Sequence, residues 1–162
     1  MKSTVYLETS VVSYLAAQPS RDLLTAAHQQ ITHLWWRTRR SGFGLFVSQL
    51  VIDECMAGDV GAAERRLALL AELSLLDVGP EVTDLARHLA TSVPLPPRAA
   101  ADAFHIAIAA RHGIDFLLTW NCAHIANAEL RPRIERACVA RGYAPPILCT
   151  PEELIGGHTN DS

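Results

Sequence analysis

The chain has 162 residues, 49% hydrophobic and 19% charged, a length that supports one domain with a buried core but not two, and a composition that excludes wholesale disorder. Its 14 basic and 17 acidic side chains leave a formal net charge of −3. A strongly basic nucleic-acid coat is excluded, so any contact with phosphate has to come from a local patch or a metal ion.

The amino terminus, MKSTVYLETS, has no apolar run behind a basic stretch, and no uninterrupted apolar segment reaches about 18 residues. Neither a secretory signal nor a membrane span is expected, and the location expected is cytoplasmic. Cys55, Cys122, Cys138 and Cys149 form no CxxC pair. They read as free thiols rather than zinc ligands or staples.

Strand-like and helix-like stretches alternate along the chain. TVYL at 4–7 is a first strand, and VVSYLAA opens a helix directly behind it, with Thr9 or Ser10 available as N-cap. LLTAAHQQITHLWWRTRR is a long helix with Leu24, Ala27, Ile31, Leu34 and Trp35 near 3.6-residue spacing, stopped by Ser41-Gly42. FGLFVS at 43–48 is a second strand, followed by the short helix LVIDECMAG. AAERRLALLAEL is helical, SLLDV is a third strand, and EVTDLARHLATSV is a helix that ends before Pro94, Pro96 and Pro97. AAADAFHIAIAARHG is apolar on nearly every side and closes on Gly113, which marks it as a central, buried helix. DFLLTW is a fourth strand, and AHIANAELRPRIERACVARG is a helix interrupted around Pro132. PILCT is a last strand, and 156–162 is a flexible tail behind a domain of 1–155. The alternation predicts a three-layer α/β/α fold with a mostly parallel sheet of four to five strands. Such sheets place their sites at the carboxyl ends of the strands.

Four acid or amide positions fall at those ends or on adjoining helices. Glu8 follows the first strand, where a carboxylate is costly unless a cation or hydrogen-bond donors compensate it. The other reading of Glu8 is a cap for the next helix. Asp102 opens the apolar helix and shares a face with His105, three residues on. As a first-turn acid it also complements the helix dipole, and His105 alone is more often a hydrogen-bonded core histidine. Glu54 and Asp53 are adjacent on the short helix after the second strand, about 100° apart, so one of them faces the sheet end. Asn121 follows the fourth strand and is equally an N-cap for the segment behind it. Gathered in one pocket, these residues form an oxygen site for a hard divalent ion such as Mg²⁺.

At these residues the sequence resembles the PIN-domain ribonucleases, and within them the VapC-like toxins of bacterial toxin–antitoxin pairs. The matching segments are VYLETSVVSYL at 5–15, VSQLVIDECMAGD at 47–59, ADAFHIAIAARHGIDFLLTWNCAHIAN at 101–127 and PPILCTPEEL at 145–154. The resemblance implies a metal-dependent endoribonuclease with catalytic residues Glu8, Glu54, Asp102 and Asn121. Glu8, Glu54 and Asp102 would hold Mg²⁺ or Mn²⁺, with Ser10, His105 and Thr119 in support. It further implies RNA as substrate, a homodimer, and a small antitoxin partner whose tail enters the acidic pocket. Two positions depart from the family pattern: the first acid is Glu8 rather than aspartate, and Asn121 is neutral where an aspartate is common.

These departures keep a second reading open, a PIN-fold module that binds RNA or protein through a weakened or inactive metal site. A phosphatase would want DxD at the first strand end, where the sequence is ETS. GxSxG, HExxH and P-loop patterns are absent from the chain. Arg37, Arg39 and Arg40, and Arg131, Arg133 and Arg136, form two basic clusters that read first as solvated surface. Trp35 and Trp36 are adjacent and cannot both point into one core, which places one of them at an interface or groove.

Overall fold

The computed structural model of the chain describes residues 1–156. Most of the expected tail therefore lies outside the described residues. The apolar runs build a five-stranded, wholly parallel sheet in the order β3-β2-β1-β4-β5. Its strands are β1 (Ser3–Leu7), β2 (Phe43–Ser48), β3 (Ser74–Leu76), β4 (Phe116–Leu118) and β5 (Ile147–Cys149). Val5, Tyr6 and Leu7 are buried in succession, the pattern of a strand covered on both faces.

The helices are α1 (Thr9–Ala16), α2 (Leu23–Arg39), α3 (Gln49–Cys55), α4 (Val60–Leu70), α5 (Pro80–Ser92), α6 (Ala100–Arg111) and α7 (Arg131–Ala140). Helix α1 packs against α2, α3 and α4, while α5 packs against α6 and α7. From β1 to β3 the chain moves outward in one direction, and from β4 to β5 in the other. Right-handed crossovers then put the two helix groups on opposite faces. Strand order reverses between β1 and β4, the topological switch point at which such sheets place their sites.

Several boundaries differ from the sequence reading. Helix α1 is capped by Glu8, whose carboxylate accepts from Ser10 N–H, and not by Thr9 or Ser10. Residues 121–130 are not helical. Asn127 Oδ1 accepts from Glu129 and Leu130 N–H while its Nδ2 donates to the Cys122 and Ala123 carbonyls, so one side chain satisfies the backbone that a helix would have used. Pro132 accordingly starts α7 rather than interrupting a longer helix. Strand β3 ends at Leu76, two residues short of the expected run. Gly113 closes α6 with φ +64°, as the sequence implies.

Trp35 is fully buried, whereas the partly buried Trp36 packs on the core edge beneath the Arg40 guanidinium, 4.5 Å from its ring centroid. Arg39 sits over Phe43, and Arg131 donates to the Leu148 carbonyl. Both basic clusters thus give members to the protein's own surface. All four cysteines are free thiols. No helix among the described residues is long and apolar enough to cross a membrane.

At the amino-terminal rim of the sheet, Asp115 Oδ2 accepts from Thr4 N–H (2.8 Å) and Thr4 O–H (3.1 Å), and Asp115 N–H donates back to Thr4 Oγ1 (2.9 Å). This latches β1 to β4 at the end away from the candidate site. Ile106, at the middle of α6, is wholly enclosed. Ile106→Ala is expected to cost about 2–5 kcal/mol, read as a lower denaturation midpoint with an unchanged denaturant slope.

Candidate active site

The carboxyl ends of β1 and β4 meet one residue beyond the ladder, where Glu8 N–H donates to the Leu118 carbonyl at 3.0 Å. The Glu8 side chain, 6% exposed, then turns between the two strands. Its Oε1 accepts from Ser10 O–H (2.5 Å) and Thr119 O–H (2.6 Å), and its Oε2 accepts from Ser10 N–H (3.2 Å). Both hydroxyls also accept from backbone. Trp120 N–H donates to Ser10 Oγ at 2.8 Å, and Asn121 N–H donates to Thr119 Oγ1 at 2.9 Å. The two turns after β1 and β4 are thereby tied into one unit around a single carboxylate.

Glu54 approaches from α3. Its Oε1 accepts from His105 Nε2–H at 2.6 Å and from Thr9 O–H at 2.8 Å. A carboxylate has only lone pairs to offer, so Nε2 is the donor. His105 Nδ1 lies 2.7 Å from Tyr6 Oη, and Tyr6 Oη lies 2.8 Å from Ser48 Oγ. Ser48 also caps α3 by accepting from Val51 N–H. A buried chain of Ser48, Tyr6 and His105 thus ends on Glu54, whose side chain is 35% exposed at its far end.

Burial raises the Glu54 carboxyl, and the hydrogen bonds and charge supplied by His105 and Thr9 outweigh it, leaving Glu54 below the usual glutamate range. Burial drives the Tyr6 phenol far above its ordinary value. Its bond to Ser48 opposes that shift, and the charges of Glu8 and Glu54 add to it. Tyr6 is therefore a neutral strut within the field of both carboxylates.

Asp102 comes from the first turn of α6, three residues before His105. Its Oδ2 accepts from His124 Nδ1–H at 3.1 Å, with Asp102 18% exposed. His124 is set by Asn121, whose Oδ1 accepts from His124 N–H at 3.0 Å. Asn121 closes this turn and caps no helix. Asp53 bonds Gln49 on the exposed side of α3, so Glu54 is the acid that turns to the sheet end.

One continuous set of hydrogen bonds thus links Asn121, Thr119, Glu8 and Ser10, and the Asn121 turn carries His124 to Asp102. Thr9, beside Glu8, and His105, one turn beyond Asp102, meet at Glu54. Sequence reasoning missed Tyr6, Thr9, Ser48 and His124 as members. Their partners lie up to 99 residues away, and only the strand register brings them together.

A shared cation centre is a different matter. Among the described residues no three His, Cys, Asp or Glu side chains are gathered closely enough to hold a metal ion. Each of Glu8, Glu54 and Asp102 accepts hydrogen bonds from protein donors. The donor chemistry still suits Mg²⁺, which needs only one or two carboxylates beside water and substrate phosphate. Glu54 and Asp102 each use one oxygen internally, and the second oxygen of each has no protein partner among the described residues.

Comparison with known proteins gives two findings. A family model described as the PIN domain matches residues 5–122. Among solved structures the fold is similar to that of VapC20 from Mycobacterium tuberculosis, a toxin described as cleaving the sarcin–ricin loop. The TM-score is 0.59 at 15% identity, covering 87% of this chain and 97% of that one. No curated protein matches the chain in sequence.

The lowered Glu54 value has a signed consequence. Its stabilising contribution is complete above the ordinary glutamate value of 4.5 and is lost as pH falls through the lower folded value. Denaturant titration of Glu54→Gln against the parent is expected to show a stability difference at neutral pH that shrinks on acidification. A difference that grew instead would contradict the assignment.

Proposed function

The chain belongs to the PIN-domain family, and from that premise we propose that it is an endoribonuclease, the toxin of a toxin–antitoxin pair, hydrolysing RNA phosphodiester bonds. The observation that carries this reading is the arrival of Glu8, Glu54 and Asp102, from three remote segments, at the one edge where strand order reverses. The likeness to a toxin described as cleaving an RNA loop supports RNA as the substrate class.

In this reading each acid has a fixed job. Ser10 and Thr119 lock the Glu8 carboxylate in one orientation, and the Tyr6–His105 chain does the same for Glu54. His124 holds Asp102. Groups locked in this way lose little freedom when substrate arrives. Asn121, its Oδ1 spent on the turn, offers a neutral amide N–H₂ on the β4 side, where a phosphate oxygen needs a donor. Mg²⁺ or Mn²⁺ is the cofactor proposed. Glu54 and Asp102 would hold it through their free oxygens, and it would supply positive charge at the phosphate and a more acidic water. A homodimer, an antitoxin partner and a cytoplasmic setting complete the proposal.

The test is cleavage of structured RNA with Mg²⁺ or Mn²⁺. Asp102→Asn is expected to lower the rate by about 100-fold or more while thermal unfolding stays close to that of the parent, and chelation of the metal is expected to stop cleavage. An Asp102→Asn rate equal to the parent's would remove the reading.

The occupied carboxylates and the neutral Asn121 favour one second reading, a PIN-fold binding module without turnover. Divalent ion separates the two. At 100 times its dissociation constant, Mn²⁺ bound to a working site stabilises the fold by about 2.7 kcal/mol, whereas a module whose carboxylates stay with their protein donors shows no thermal shift.

A further inference from the structure

We infer that Thr32 and His28, on α2, are positioning residues of the acidic centre: through the Trp120 indole they hold the turn after β4, and that turn sets the Glu8 carboxylate. The inference rests on the ribonuclease reading. It adds two residues from a helix that makes no hydrogen bond to any of the three acids among the described residues.

The sheet does not hold Trp120. The last bond this segment makes to the sheet is from Thr119 N–H to the Cys149 carbonyl, at 2.9 Å. Trp120 N–H instead donates to Ser10 Oγ at 2.8 Å. A serine hydroxyl has one proton to give. With Trp120 N–H on the accepting side of Ser10 Oγ, that proton goes to Glu8 Oε1. The aim of the Ser10 hydroxyl, and with it the orientation of Glu8, therefore depends on where the Trp120 backbone lies.

The indole decides that place. Its Nε1–H donates to Thr32 Oγ1 at 2.7 Å, and its face stacks on His28 with ring centroids 4.0 Å apart and an interplanar angle of 13°. Tyr14, one helical turn after Ser10 on α1, leans on the same indole with centroids 6.2 Å apart. A ring held on its face by a stack and at its edge by a hydrogen bond has its side-chain torsions fixed, and so the backbone that carries it.

Thr32 is itself committed to this task. It is wholly buried, and its O–H donates to the His28 carbonyl at 2.6 Å, which leaves its oxygen to accept from Trp120. One hydroxyl thus serves both the helix and the indole. Helix α2 is a firm support, because the fully buried Trp35 and its packing on the 151–154 turn anchor it apart from Thr32.

The first test is hydrogen exchange at the Trp120 and Asn121 amides, read by NMR on the full chain. Thr32→Val keeps the volume and removes the acceptor. It is expected to speed exchange at both amides by about tenfold, with the Ile106 and Ile108 amides of α6 unchanged. The second test is steady-state cleavage of a labelled RNA hairpin with Mn²⁺. A loosened carboxylate costs turnover rather than binding, so Thr32→Val is expected to lower kcat by about tenfold with KM within about twofold of the parent.

Thr32→Ser, which restores the hydroxyl, is expected to recover both readouts. Trp120→Phe removes the same bond from the other side, so it is expected to match Thr32→Val, and the double variant to be no slower than either single one. His28→Ala is expected to share the fall in kcat, and His28→Phe, which keeps a flat ring, to escape it. Thr38→Val is the control: Thr38 is exposed on the same helix and bonds only the Leu34 carbonyl, and its loss is expected to move neither readout.

Exchange at Trp120 that stays at the parent's rate in both Thr32→Val and Trp120→Phe overturns the inference. So does a rise that spreads through α6, which marks general loosening, or losses that add in the double variant. Faster exchange with unchanged kcat, in a parent that cleaves RNA, also overturns it and spares the ribonuclease reading. Faster exchange confined to the turn, with no cleavage by the parent, supports the hold on Glu8 and removes the ribonuclease reading.

Discussion

The pairing of β1 with β4 is the constraint on which the rest of the structure depends. These strands start the two halves of the sheet, and the ladder between them runs one residue past its last formal pair, to the bond from Glu8 N–H to the Leu118 carbonyl. That bond fixes the backbone at which both following turns begin. Ser10, Thr119, Trp120 and Asn121 all take their places from it. A shift of one residue in this register would turn Tyr6 from its contact with His105 and leave Glu8 without Thr119.

Three carboxylates at one sheet edge pose an electrostatic problem, and the protein solves it three ways. Glu8 is satisfied by two hydroxyls and an amide, Glu54 by an imidazole and a hydroxyl, and Asp102 by an imidazole. Donors of this kind favour the charged form and offset the cost of leaving water. The protein compensates each carboxylate at this edge separately. A cation would meet acids already held in place, with one oxygen of Glu54 and one of Asp102 still to offer.

Much of the architecture was legible from local chemistry. Apolar runs at 4–7, 43–48 and 146–150, and the all-round apolar helix ending on Gly113, announce a buried parallel sheet because both of its faces must be covered. The segment 123–130 carries alanines and a leucine that suit a helical period, yet it folds as turns, while 131–140 is the expected helix. Asn127 spends its side chain on four backbone groups and holds the first half as turns, and Pro132 is at home in a first helical turn. The acids were legible because a carboxylate at a buried strand end demands an explanation. Their companions were not. Tyr6 and Ser48 look like ordinary strand residues, and His124 looks like a polar residue in a helix. Nothing short of the register tells that they touch His105 and Asp102.

The latch between Thr4 and Asp115 sits at the opposite rim of the same two strands. Because it aligns the halves of the sheet from below, the upper rim need not carry that duty alone. Residues there can be exchanged for others of different reach or charge while the scaffold keeps its seam. A longer first acid and an uncharged amide after β4 are the kind of exchange such a division of labour permits.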